Sequence, residues 1–195
     1  MAQTRGKRQK VWMLAAVNAI QLKIAIKYMR PAIWRRVVLP DHFTLADLHE
    51  VIQITVGWHN CHMHRFEIDG TSYTSAQAMD GMDMKDEGKV MLRSFAKKPK
   101  QKFFYEYDFG DSWIHEITVE KIVPIDAQPA APVCLAGKRA CPPEDCGSYP
   151  GYDMLLEALS APVKTEEQKE LLEWIGDDFD PDHFDLDAIN RWLKD

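Results

Sequence analysis

Apolar and polar residues alternate over residues 20–28, with Ile20, Leu22, Ile24, Ile26 and Tyr28 on one side and Gln21, Lys23 and Lys27 on the other. A period of two marks a strand with one buried face. Arg30-Pro31 interrupts it, and the β-branched run Ile33–Leu39, ended by Pro40-Asp41, predicts a second strand. The period then lengthens. Leu45, Leu48, Ile52 and Val56 recur at helical spacing behind Thr44, whose hydroxyl suits a helix N-cap. A strand near His62–Ile68 is expected to turn at Asp69-Gly70, a type I′ hairpin pair, and to return over Thr71–Thr74.

Residues 76–89 are polar and Met-rich and read as a loop, Val90–Phe95 as a short strand, and Lys97–Lys102 as a basic turn. Phe103, Tyr105, Tyr107 and Phe109 alternate along a further strand that turns at Gly110-Asp111 and returns over Trp113–Val123. From Pro124 to Pro150 there is no periodicity; an irregular stretch of that length carries function or is held by something. The end is helical. Tyr152, Leu155, Leu156 and Leu159 make one stripe, Thr165-x-x-Gln168 is a capping box for a helix closed by Gly176, and a short helix spans about Asp185 to Leu193. Strands first and helices last define an α+β fold with a mainly antiparallel sheet, one helix after the first two strands and a C-terminal helical segment.

At 195 residues, 46% hydrophobic and 28% charged, the chain suits one soluble domain, expected over residues 11–195 behind a basic, flexible segment 1–10. The net charge of −6 is uneven: residues 165–195 carry 11 acidic against 3 basic side chains, and the remainder is slightly basic. The apolar run behind the basic N-terminus stops at Asn18 with no clean cleavage pattern, and no run reaches the ~18 apolar residues of a membrane helix. The expectation is a cytoplasmic protein without a membrane partner. Its cysteines, Cys61, Cys134, Cys141 and Cys146, would then be reduced or metal-bound rather than bridged.

Three constellations carry chemistry. If Gly110-Asp111 is a two-residue turn, Asp108 lies opposite Trp113 and Glu106 opposite His115, which places two carboxylates and an imidazole on one face. Such a group can bind a metal or move protons, or simply form a cross-strand His–Glu hydrogen bond, and a one-residue slip would dissolve it. Cys134, Cys141 and Cys146 offer three soft ligands for zinc or another divalent metal, with a fourth from His59, Cys61, His62, His64 or His115, or else they are small core hydrophobes. His62 and His64 share a face of their strand. Separately, Lys97, Lys98, Lys100 and Lys102 form an acid-free basic stretch, a nucleic-acid surface or a solvated loop. If Arg35-Arg36 lies on a strand, one arginine faces inward and needs a partner.

Several ordered motifs together resemble the plasmid pRiA4b ORF-3-like family. They are Pro31-Ala-Ile-Trp-Arg-Arg36, Thr44-Leu-x-Asp-Leu-His49, Gly57-Trp58 with His62-x-His64-x-Phe66, Tyr105-x-Tyr-Asp-Phe-Gly-Asp-x-Trp113 with His115, Cys141-Pro-Pro-Glu-Asp-Cys-Gly147, Gly151-Tyr152 and Phe179-Asp-Pro181. Ser148 stands where the family usually has a second glycine. The resemblance implies a roll-like α+β domain and one site shared by the hairpin, His62/His64 and the Pro-Pro-Glu-Asp loop. Some members carry an insertion-element resolvase label, yet no recombinase nucleophile motif is visible. The expected function is a binding or accessory domain associated with mobile DNA, its polar cleft walled by the 106–115 hairpin and the 134–147 loop. Glu106, Asp108, Asp111, Trp113, His115, Glu144 and Asp145 would contact the ligand. The alternatives are a metal-dependent hydrolase or nuclease using Asp108, Asp111, His115 and Glu144, and a structural zinc protein.

Overall fold

The strand–strand–helix opening folds as its periodicity predicts. In the computed structural model, which describes residues 18–79, 83–124, 131–176 and 178–194, β1 (Asn18–Ile26) pairs antiparallel with β2 (Trp34–Pro40), Leu22 opposite Val37. The predicted flexible segment 1–10 lies outside the described residues. Ile20, Leu22, Ile24 and Ile26 are buried; Tyr28 lies beyond the strand end at φ 65° and is exposed. The helix α1 (Leu45–Val56) starts at a capping box in which Thr44 and Asp47 exchange hydrogen bonds, and Gly57 closes it at φ 88°.

β3 (His64–Ile68) and β4 (Thr71–Thr74) form the expected hairpin, with Asp69 and Gly70 both at positive φ as a type I′ turn requires. Three expectations then need correction. The 76–89 loop contains a two-residue strand, β5 (Lys85–Asp86), parallel to β4, and a 3₁₀ turn over Glu87–Lys89. Val90–Phe95 is not a strand but ends in one helical turn, α2 (Leu92–Phe95), because the Leu92 and Arg93 N–H groups donate to the carbonyls of Phe43 and Asp41 rather than to a ladder. The 124–150 stretch is not wholly irregular, since β8 (Val133–Lys138) adds an edge to β2.

The fourth correction bears on function. β6 (Lys102–Tyr107) and β7 (Trp113–Pro124) pair Tyr107 with Trp113, Glu106 with Ile114 and Tyr105 with His115, one step from the expected register. The connection is five residues long instead of two. Asp108 and Ser112 both take positive φ, the Ser112 N–H donates to the Asp108 carbonyl, and the Gly110 N–H donates to the Asp108 carboxylate at 2.9 Å. The turn thus supplies partners for its Gly110 and Ser112 N–H groups without ladder pairing, so the strands need not run to Gly110.

Among the described residues one sheet runs in the order β5-β4-β3-β6-β7-β1-β2-β8, antiparallel except at β4–β5. The fold is α+β. Trp113, Tyr105, Tyr107, Phe66 and Phe103 fill the core beneath α1. The C-terminal helices are α3 (Ser148–Ser160), α4 (Glu166–Ile175), which opens at the Thr165/Gln168 capping box, and α5 (Leu186–Trp192), packed against β8 and α1. None of the described helices is long and apolar enough to cross a membrane.

Candidate functional site

Tyr107 ends β6 with its ring in the core and its hydroxyl at the surface of three converging loops. The phenol accepts from the backbone N–H groups of Cys61 (3.1 Å) and His62 (3.3 Å), and donates to Glu144 Oε1 at 3.0 Å. Burial, and secondarily the Glu144 charge, raise its pKa, so it remains a neutral donor. Trp58 stacks on Tyr107 with centroids 4.7 Å apart, and its indole N–H donates to the Pro142 carbonyl at 2.9 Å. The α1–β3 loop is thereby fastened to the Cys141-Pro-Pro-Glu-Asp segment.

Glu144 is held by three donors: the His59 N–H at 2.7 Å, the Tyr107 hydroxyl and the Cys61 thiol. Burial alone would raise its pKa; the donors outweigh it, and the carboxyl lies below its ordinary value. Cys61 responds in the opposite sense. Its hydrogen bond to Glu144 raises the thiol pKa, which does not suit a nucleophile. His62 stands in the middle. Its Nε2 is 3.1 Å from Asp145 Oδ1 and 3.7 Å from Glu144 Oε2, and its Nδ1 is 3.8 Å from Asp108 Oδ1. The Asp145 contact is close but not aligned as a hydrogen bond, leaving the buried Nε2 without a hydrogen-bond partner. Two overlapping groups of candidate metal ligands result, Cys61/His62/Glu144 and His62/Asp108/Asp145, each with ligand atoms within 4.8 Å of one another.

A cleft of about 230 Å³ opens beside His62, bounded by His49, Glu50, Asn60, His64 and Glu87. His49 and His64 stack at 3.5 Å between centroids. His64 Nε2 meets Glu87 Oε2 at 2.8 Å, and His49 bridges the Tyr105 hydroxyl (2.8 Å) and Asn60 Oδ1 (2.9 Å). Burial, and then its histidine neighbour, lower the His49 pKa to about 3.

Of the residues expected at the site, Asp108, Glu144, Asp145 and His62 come together, with His64 on the neighbouring cleft. Glu106 does not join them. It lies on the opposite face of β6, bound to Arg65 at 2.7 Å and to the Ser112 hydroxyl at 2.6 Å. Trp113 and His115 face the core; His115 is fully buried, its Nδ1 3.0 Å from the Trp113 carbonyl, and burial lowers its pKa to about 4. The expected Glu106–Asp108–His115 face is dissolved by the register shift. The Asp111 carbonyl accepts from Ser148 at 2.6 Å, and its Oδ2 is buried without a hydrogen-bond partner.

Cys134, Cys141 and Cys146 do not form a group of three ligands. Cys134 sits on β8, Cys141 lies 3.6 Å from Arg35 Nη2, Cys146 precedes α3, and burial raises all three thiols, Cys146 to about 12. In the basic stretch, Lys102 pairs with Glu116 at 2.8 Å and the Lys97 ammonium donates to the Arg93 carbonyl; the Lys98 and Lys100 side chains form no ion pair among the described residues.

Sequence reasoning missed Tyr107 as the organiser of the loops, and His49, Glu87 and Trp58 as neighbours. A buried phenol needs a partner for its hydroxyl, and that requirement was the available signal for Tyr107. Nothing in the sequence marked the His59 N–H.

Fold and site together define a class: an α+β domain whose open sheet carries a histidine–carboxylate cluster built from three loops. The chain belongs to the plasmid pRiA4b ORF-3-like family, whose sequence model matches residues 18–188. It is 35% identical over 180 residues to the uncharacterized protein y4hQ of Sinorhizobium fredii (strain NBRC 101917 / NGR234), covering 91% of this chain and 92% of that protein. Its fold is similar to the crystal structure of the protein of unknown function MM3350 from Methanosarcina mazei Go1. That match has a TM-score of 0.78 at 36% identity, over 88% of this chain and 96% of the other.

Proposed function

We propose that the chain is a binding domain that holds a divalent cation at His62, in the polar site between the β6–β7 turn and the Cys141–Gly147 segment. The observation that carries this reading is convergence. Asp108 from the β6–β7 turn and the adjacent Glu144 and Asp145 from the Cys141–Gly147 segment meet around one imidazole, whose Nε2 is buried and has no hydrogen-bond partner. Like charges gathered this closely repel unless a proton or a cation lies among them. In this reading Nε2, Glu144 and Asp145 ligate, the Cys61 thiol adds a soft donor by giving up its proton, and Asp108 at Nδ1 orients the ring. The mixed N, O and S donors suit zinc.

Calorimetric titration of chelator-treated protein with zinc tests this. We expect about one ion per chain, with affinity lowered at least roughly tenfold in His62→Ala and in Asp145→Asn. Binding unchanged in both variants would overturn it. Hydrolysis is the second reading, favoured by the exposure of Cys61 and Asp145, which leaves a solvent side where a metal-bound water could be activated.

A further inference from the structure

β2 sends its two adjacent arginines to opposite faces, with opposite fates. Arg36 meets Glu120 through two hydrogen bonds of 2.6 and 2.8 Å. Arg35 is only 4% exposed, and among the described residues it meets no carboxylate. Its Nε donates to the Thr55 carbonyl at 2.7 Å in the last turn of α1, its Nη1 to the Trp34 and Lys138 carbonyls at 2.9 and 3.1 Å, and its Nη2 to Cys141 Sγ at 3.6 Å. The Phe184 ring lies 4.9 Å from the guanidinium carbon. A guanidinium has five N–H donors; four are engaged here, the fourth on a thiol, which is a weak acceptor. Carbonyl dipoles and an aromatic face temper a buried cation without neutralising it.

Arg35 and Cys141 together line a groove of about 420 Å³ between α1 and α5, within the size range of small-ligand sites. The rest of the wall is mostly apolar, including Ile54, Val56, Phe184, Ile189 and Trp192. Trp192 is 55% exposed, a large apolar ring at the surface. One acid lies on this wall, Asp185, but its carboxylate caps α5 by accepting the Ala188 N–H at 2.8 Å.

The geometry points to a second site, separate from the His62 cluster: the α1–α5 groove takes a small amphiphilic carboxylate, its head on Arg35 and its apolar body against Phe184 and Trp192. The Arg35 charge in the groove lining selects an anion, and the apolar remainder selects a hydrocarbon or aromatic body.

Octanoate and octan-1-ol, matched in chain length, serve as probes, with calorimetry for affinity and two-dimensional NMR of the Trp192 indole N–H for location. Octanoate is expected to bind once per chain and to shift the Trp192 indole. The alcohol should bind at least roughly tenfold more weakly. Arg35→Met should abolish the preference for the acid. Because that variant removes a buried, multiply bonded side chain and can fail to fold, the half-buried Ile54 supplies a second pair. Ile54→Glu should weaken octanoate at least roughly tenfold relative to Ile54→Gln, by placing a like charge on the wall. Equal affinity for acid and alcohol, absence of saturable octanoate binding, or equal octanoate affinity in the two Ile54 variants would each overturn the proposal.

Discussion

His115 shows how one residue's fate follows from a single register step. Opposite Glu106 it would have been a surface acid–base pair; opposite Tyr105 it is a fully buried imidazole packed edge-on against Trp58. Burial lowers its pKa to about 4, against 6.5 for the free side chain, and His49 is lowered further, to about 3. Below pH 6.5 the unfolded chain therefore takes up protons that the folded chain refuses. Stability is full above that pH and falls as the pH drops, until the folded imidazoles protonate as well. Each group contributes a slope of up to about 1.4 kcal/mol per pH unit in this window. Urea unfolding of the wild type between pH 7.5 and 4.5 should show the decline, and His115→Phe should remove one group's share. An identical pH slope in the variant would contradict the assignment. The imidazole itself was legible as a candidate in the sequence; its inward direction was not, because period-two alternation assigns faces only after the turn length is known.

The decisive elements are the β6–β7 turn and the start of α3. Asp-Phe-Gly-Asp reads as a tight turn, yet left-handed Asp108 and Ser112 lengthen it to five residues. At α3, Ser148 takes a left-handed conformation that favours glycine, at φ 64°. Its hydroxyl donates to the Asp111 carbonyl at 2.6 Å, which offsets the strain and ties α3 to the turn. Ser148→Ala retains the strain and loses the bond, so it should cost about 1–2 kcal/mol in denaturant unfolding. Ser148→Gly trades one for the other and should fall within about 1 kcal/mol of wild type. Gly151 is stricter: a Cβ there would lie 1.9 Å from the Cys146 carbonyl oxygen, a backbone atom. Gly151→Ala should cost about 2–4 kcal/mol by forcing the Cys146 segment away. Gly151-Tyr152 was legible as a motif, whereas its cause, a carbonyl five residues back, is a matter of packing.

Across the whole molecule, the start of the 139–147 segment is held by partners distant in sequence. Arg139 pairs with Asp182 at 2.9 Å, Ala140 donates to the Pro181 carbonyl at 3.1 Å, and Trp58 grips Pro142 from the α1–β3 loop. Trp58→Phe keeps an aromatic ring on Tyr107 but removes the donor to Pro142. Hydrogen exchange should then quicken in residues 144–146 while the core of β1 and β7 stays protected; an unchanged exchange pattern would show that the fastening lies elsewhere. The sequence by itself determined the order of the main strands and helices, the inward faces of β1, α1 and β6, the Thr44 cap, the Thr165/Gln168 capping box and the type I′ hairpin, because these depend on periodicity and side-chain–backbone bonds within a few residues. Tertiary structure decided the β6–β7 register, the pairing of β8 with β2, the gathering of Asp108, Glu144 and Asp145 around His62, and the burial of Arg35 without a carboxylate among the described residues. The last three depend on contacts between segments tens of residues apart, and the register on the left-handed conformations of Asp108 and Ser112, and hydrophobic periodicity encodes neither.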